Sequence, residues 1–271
     1  MANTGSNELT IRALSRGLRI LAVLNAYGSA SLAQISRETG LPRPTTYRLL
    51  RSLLVENYIT KNEELSTYHA AARCCSLSSG FIEDAWLSEH AQAPLDEIGR
   101  ELVWPLSIAT NAGTRMIVRA NTDMASPLAV RTFMPGTSLP LLESASGKVF
   151  LAHVSEQKRE QICDLLREAN ELKSDDFSND GQMQQYFSKV RETGYAMHTK
   201  PGRFSNAQAI AVPLMVQDKM IAAVTVRYAQ KAVSDEEALE NFLPLLKDYA
   251  VEVGAKIQAD NRALSVFELE T

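Results

Sequence analysis

Three groups of residues carry side chains at spacings that suit chemistry. The first is Arg43, Thr45, Tyr47, Arg48 and Arg51, close enough in sequence to share the polar side of one helix. Guanidinium groups and hydroxyls so placed suit the phosphates and base edges of duplex DNA. The second is Ser144-Ala145-Ser146-Gly147, a helix-opening run whose free backbone N–H groups and positive helix end suit an anion. The third is Thr225 and Arg227, two residues apart and so on one face of a strand, offering a hydroxyl and a two-pronged donor for a carboxylate.

Other chemistries find less support. Ala145-Ser146-Gly147-Lys148 resembles part of a phosphate loop, but Leu142 and Val149 occupy positions where that loop needs glycine and a hydroxyl residue. His69, His90, His153 and His198 lack metal-ligand spacing, and no GxSxG elbow announces a nucleophile. The expectation is therefore no catalytic residue, no metal and no cofactor. Cys74, Cys75 and Cys163 form neither a disulfide framework nor a paired zinc pattern, which suits a reducing cytosol; Cys74 and Cys75 are expected to pack structurally. Apolar runs fall well short of the roughly 18–20 residues that span a bilayer, and no basic-then-apolar segment follows Met1. A protein free of the membrane is expected.

Charge separates the ends of the chain. Residues 1–73 hold nine Lys/Arg against five Glu, a net +4, so a total of −4 over 271 residues leaves −8 for the remainder. A basic head on an acidic body suits a chain with one part that meets a polyanion. At 271 residues and 45% hydrophobic content, one large or two medium domains with a sizeable core are expected.

The elements that must position these groups are legible from periodicity. Leu14, Leu18, Leu21 and Leu24 predict a helix over 10–26 with an apolar stripe. Gly28 ends it, Ser31 caps a short helix over 32–39, and Gly40 stops that one. A third helix over 43–56 buries Thr46, Leu49, Leu50, Leu53 and Leu54. Pro44 fits only in its first turn, where a missing N–H costs nothing. Asn57 makes a left-handed exit, and residues 58–61 and 66–69 read as two strands about a polar tip. Helix, short helix, turn, helix and hairpin make a winged helix-turn-helix. Arg43, Pro44, Thr45, Tyr47 and Arg48 would then enter the major groove, with Arg51 and the wing residue Lys61 on the DNA backbone.

Here the residues reach a known family. Gly40-Leu41-Pro42-Arg43-Pro44-Thr45-Thr46-Tyr47-Arg48-Leu49-Leu50-Arg51-Ser52-Leu53 resembles the turn and recognition helix of IclR-type bacterial transcription regulators. Ser31-Leu32-Ala33-Gln34-Ile35-Ser36, Ala145-Ser146-Gly147-Lys148-Val149-Phe150, Gly194-Tyr195-Ala196 and Ile210-Ala211-Val212-Pro213 extend the likeness in order along nearly the whole chain. Pro44, where such helices often carry Ser, departs from the pattern.

The rest of the chain predicts a linker helix over 73–93 that runs into a second domain from 94 to 271, with Pro94 breaking or kinking it. Strands over 106–111, 115–121 and 128–133 are followed by helices over 144–154, 156–169 and 181–193. Two more strands (209–216, 220–228) and one helix from the capping box at Ser234 complete it. On the last strand, Ile221, Ala223, Thr225 and Arg227 share one face. This is an α+β sheet with helices on one side. The resemblance implies a GAF-like effector-binding domain contacting its ligand through Ser144, Ala145, Ser146, Gly147, His198, Gln208, Thr225 and Arg227. Lys200 and Arg203 lie in a Pro-Gly loop between these. It further implies double-stranded operator DNA, a small organic acid (an aromatic carboxylate by preference), a second copy in a homodimer or tetramer, and RNA polymerase as partners. The competing reading is a metabolite-binding or enzymatic domain whose N-terminal hairpin mediates oligomerisation.

Overall fold

The computed structural model describes residues 11–80, 84–129, 132–168, 180–198 and 207–260. Two units emerge, Met1–Ile82 and Glu83–Thr271. In the first, α1 (Arg12–Tyr27), β1 (Ser29–Ser31), α2 (Leu32–Thr39), α3 (Arg43–Val55), β2 (Ile59–Asn62) and β3 (Thr67–Ala70) follow one another. Ser31 caps α2 by accepting from the Gln34 N–H at 3.3 Å, and Gly40 closes it in the left-handed region at φ +68°. Asn57, at φ +57°, makes the expected left-handed turn into the wing. Strand β1, too short to announce itself by alternation, pairs with β3 and gives a three-stranded sheet of order β1-β3-β2.

The core of this unit gathers Ile20, Leu21, Leu24, Ile35, Leu50 and Ile59. Thr46 is fully buried and donates its hydroxyl to the Pro42 carbonyl at 3.2 Å, so a polar residue on the inner face of α3 is satisfied at home. Leu49, Leu53 and Leu54 pack against the core while partly exposed. Leu14 and Leu18, expected inside, are 60% and 55% exposed. The inner stripe of α1 begins at Ile20, nearly two turns after Leu14, where helical spacing alone would start it.

The linker is not one continuous helix. Ala72–Ser78 is 3-10, and Ser76, Ser78 and Ser79 each donate a hydroxyl to a backbone carbonyl three residues back, a local bond that competes with regular helix. Beyond residues 81–83, which lie outside the described residues, a π turn at Leu87–Ala91 leads into α4 (Gln92–Leu102). Pro94 would clash with the carbonyl four residues back in an unbroken α-helix; the wider turn falls at that place.

The second unit is built on a six-stranded antiparallel sheet of order β6-β5-β4-β9-β8-β7. Its strands are β4 (Leu106–Ala112), β5 (Arg115–Asn121), β6 (Ser138–Pro140), β7 (Ala196–His198), β8 (Ala207–Val216) and β9 (Lys219–Ala229), with helices α5 (Ala145–His153), α6 (Glu156–Glu168) and α7 (Asp180–Thr193) inserted between β6 and β7. The third strand lies at Ser138–Pro140; residues 128, 129, 132 and 133 are not strand, and 130–131 lie outside the described residues. The reason is at hand. The Phe133 N–H is donated to the Asp123 carboxylate and its carbonyl accepts from Asn121, so its backbone groups are spent on side chains.

Helices cover both faces of the sheet, not one. On one face Leu106, Ile108, Val212, Val224, Val226 and Tyr228 pack with Leu246, Tyr249 and Val253. On the other, Ala109, Ala211 and Ala223 meet Val149, Phe150 and Phe187. The small residues of the second face admit α5 closely. Alternation along β9 holds from Ala222 to Tyr228. Ile221 instead packs with the first face, because a register shift beside Leu214 and Met215 displaces the start of the strand. The C-terminal helix is two: α8 (Asp235–Asn241), opened by the Ser234–Glu237 capping box, and α9 (Leu243–Ala259), with Pro244 in its first turn.

Candidate functional site

Unit one presents an uncompensated cationic surface. Arg43, Pro44, Tyr47, Arg48 and Arg51 are exposed on α3, and Thr45 is half-buried beside them. Tyr47 is 48% exposed, a large ring held out in water. Among the described residues no carboxylate lies within ion-pair distance of Arg43, Arg48 or Arg51. No side chain caps α3, whose N-cap is Pro42, so first-turn amides remain available for an anion. On the wing, exposed Lys61 is hydrogen-bonded to Glu63. That bond raises the Lys61 pKa above its ordinary value of 10.5, keeping the ammonium charged. The structure thus puts all seven candidates on one small unit, with Lys61 partly neutralised.

Unit two holds an open pocket between the α5 side of the sheet and the β6–α5 connection. Six of the predicted effector-binding residues, Ser144, Ala145, Ser146, His198, Thr225 and Arg227, line it; Ser107, Phe133 and Glu143 join them. Register explains the floor. Ser107 pairs with Thr225, and Thr225 with Ala211; Arg227 pairs with Ala209, and Ala209 with His198, so two cross-strand rows present two hydroxyls in one and a guanidinium and an imidazole in the other. The Thr225 hydroxyl is buried, in a residue 6% exposed, and has no hydrogen-bond partner among the described residues. Such a group costs stability unless something fills its bond.

Two expected contacts do not line the pocket. Gly147 donates its N–H to the Ser144 hydroxyl at 3.1 Å and has the Leu141 carbonyl against its Cα, so it serves close packing. Gln208 alternates with the lining residues Ala207 and Ala209 and faces the opposite layer, donating to Gln230 at 3.0 Å. Arg227 lines the pocket but is not an open two-pronged donor: it is ion-paired to Asp123, and its guanidinium lies 4.0 Å from the centre of the Phe133 ring. Asp123 stands 104 residues away in sequence, beyond any local pattern. Ser107 was readable in principle, as the polar member alternating with Leu106 and Ile108. Lys200 and Arg203 lie outside the described residues.

Among the described residues one trio has ligand atoms within 4.8 Å of one another, Glu89, His90 and Asp260, which histidine spacing does not reveal. His90 Nε2 and Asp260 Oδ2 are 2.9 Å apart, a bond that ties the π turn to the end of α9. Cys74 donates its thiol to the Tyr58 carbonyl at 3.0 Å, while Cys75 is exposed. No helix among the described residues is long and apolar enough to cross a membrane.

Comparison with known proteins gives a consistent result. Residues 13–63 match the IclR helix-turn-helix domain, and residues 81–255 match the C-terminal domain of bacterial IclR transcriptional regulators. The chain is 26% identical over 158 residues to the transcriptional repressor IclR of Escherichia coli strain K12, covering 58% of this chain and 57% of that one. It is 26% identical over 250 residues to the Pca regulon regulatory protein of Pseudomonas putida, covering 90% and 83%. In fold it is similar to a solved IclR homologue from Microbacterium hydrocarbonoxydans complexed with 4-hydroxybenzoate, at TM-score 0.61 and 18% identity over 92% of this chain and all of that one.

Proposed function

The chain belongs to the IclR family of bacterial transcriptional regulators, and on that premise we propose that Arg43, Thr45, Tyr47 and Arg48 read operator DNA under control of a small aromatic acid. Arg51 and Lys61 hold the phosphate backbone, and Pro44 shapes the entry of α3 into the groove. The observation that carries this assignment is the exposure of Arg43, Arg48 and Arg51 with no carboxylate among the described residues to neutralise them. Replacing Arg43 and Arg48 together with Ala abolishes sequence-specific binding in an anisotropy titration of the full chain; an unchanged affinity refutes it.

The acid is placed by its chemistry. Its carboxylate lies at the N-terminus of α5, near Ser144, Ala145 and Ser146, and takes the hydrogen bond that Thr225 lacks. Its ring lies along Phe133, Leu139 and Pro140. The 4-hydroxybenzoate bound to the fold relative supports an aromatic acid. So does the resemblance of Val103-Trp104-Pro105 and residues 139–152 to the regulator of 3-(3-hydroxyphenyl)propionate breakdown, which makes that acid a first ligand to test. Binding alters transcription only through unequal affinity for the DNA-competent and other arrangements.

A homodimer is the natural reading unit, and it predicts a roughly palindromic operator. Exposed Ile11, Leu14 and Leu18 on one stripe of the α1 region support self-association there. RNA polymerase is the partner through which a bound regulator would act on transcription.

A further inference from the structure

Asp123 does not line the pocket, yet it governs two residues that do. Its side chain is wholly shielded from solvent. Oδ1 accepts from Arg227 Nη2, and Oδ2 accepts the Phe133 N–H at 2.6 Å. Asn121 completes the clasp: its Oδ1 accepts the Asp123 N–H and its Nδ2 donates to the Phe133 carbonyl, each at 3.0 Å. With the Arg227 guanidinium 4.0 Å from the Phe133 ring centre, one carboxylate neutralises the pocket's cation and fixes an aromatic ring beside it.

The charge balance has consequences for what fits. An arginine in a pocket ordinarily anchors an acid. This one already faces a carboxylate that cannot turn to water, and Glu143 contributes a second carboxylate to the lining. A ligand's single negative group is served by the first-turn amides of α5 and by Thr225. A second negative group, placed toward Arg227, would meet the field of Asp123 at low dielectric. What that end offers instead is the flat surface of Phe133.

We propose that Asp123 is a selectivity residue of this pocket: by neutralising Arg227 and positioning Phe133, it makes the site take planar monoanions and reject dianions. The proposal rests on the reading of the pocket as an acid site. Specificity here comes from an element that repels the wrong ligand as well as one that holds the right one.

Calorimetric titration of the full chain with 4-hydroxybenzoate, terephthalate and cyclohexanecarboxylate tests it. The unaltered chain is expected to prefer 4-hydroxybenzoate to each of the others by about tenfold or more. Asp123→Asn, which frees the Arg227 charge, is expected to raise terephthalate affinity relative to 4-hydroxybenzoate by about tenfold. An unchanged ratio overturns the role of Asp123. Should that variant not fold, Phe133→Leu with the ion pair intact is expected to erase the preference over cyclohexanecarboxylate, and a retained preference overturns the positioning claim. If the unaltered chain binds none of the three, the acid-site reading falls and this proposal with it, an outcome distinct from binding with an unchanged ratio.

Discussion

Gly147 lies so close to Leu141 that a Cβ on it would sit 2.0 Å from the Leu141 carbonyl oxygen. The third helical position after the Ser144 cap is therefore restricted by backbone, which cannot yield as a flexible side chain would. Gly147→Ala must push α5 away from the β6–α5 connection. The expected cost is about 1–3 kcal/mol or more, seen as a melting temperature lower by several degrees. Because Ser144, Ala145 and Ser146 line the pocket, acid affinity falls in the same variant. A variant that melts with the unaltered chain removes this account.

Thr225→Val separates binding from stability by sign. Among the described residues the buried hydroxyl has no partner, so its replacement by a methyl group is expected to relieve a penalty of about 1 kcal/mol and raise the melting temperature slightly. The same change removes a donor to the ligand carboxylate, and acid affinity falls by about tenfold, the worth of a hydrogen bond to a charged group. Thermal melts with and without 4-hydroxybenzoate read both effects. A variant that is less stable and binds equally well contradicts the assignment of Thr225.

Salt dependence distinguishes the cations of α3 from ordinary surface charge. Each phosphate contact contributes about 0.9 to the slope of log affinity against log salt. Arg51→Ala is expected to weaken binding to all duplexes alike and reduce that slope by about one. Arg48→Ala should relax preference among sequences as well. Both residues are exposed, so circular dichroism and melting stay unchanged. An Arg51→Ala slope equal to that of the unaltered chain would take Arg51 off the phosphate backbone.

How much of this could be read from the chain depended on the range of the interaction. Local rules placed the Ser31 cap, the Gly40 stop, Pro44 in the first turn and the Ser234–Glu237 box, because each is decided within four residues. Period-two alternation put Thr225 and Arg227 on the face that became the pocket floor. It failed at Ile221, where a register shift changes the face, and at residues 128–133, where Phe133 spends its backbone bonds on Asn121 and Asp123. No local rule pairs Asp123 with Arg227 or His90 with Asp260, which topology alone brings together. The exposed Leu14 and Leu18 mark the same limit, since periodicity gives a stripe but not where its cover ends.

His153 makes the stability of the second unit depend on pH. Its Nδ1 lies 2.8 Å from the Val149 carbonyl oxygen, a bond that Nδ1–H makes in the neutral ring as well as the charged one. Burial, first, and the Arg191 guanidinium lower its pKa below the ordinary 6.5; the Val149 bond opposes them in part. The folded chain thus holds His153 neutral at a pH where the unfolded chain already binds a proton. The stabilisation is fully present above about pH 6.5, the unfolded value, and is lost as pH falls through the folded one. His153→Gln keeps a side-chain N–H for Val149 but cannot titrate. Urea melts at about pH 7.5 and about pH 5.5 should therefore differ less in the variant than in the unaltered chain. An equal difference in the two proteins assigns the pH dependence to other groups.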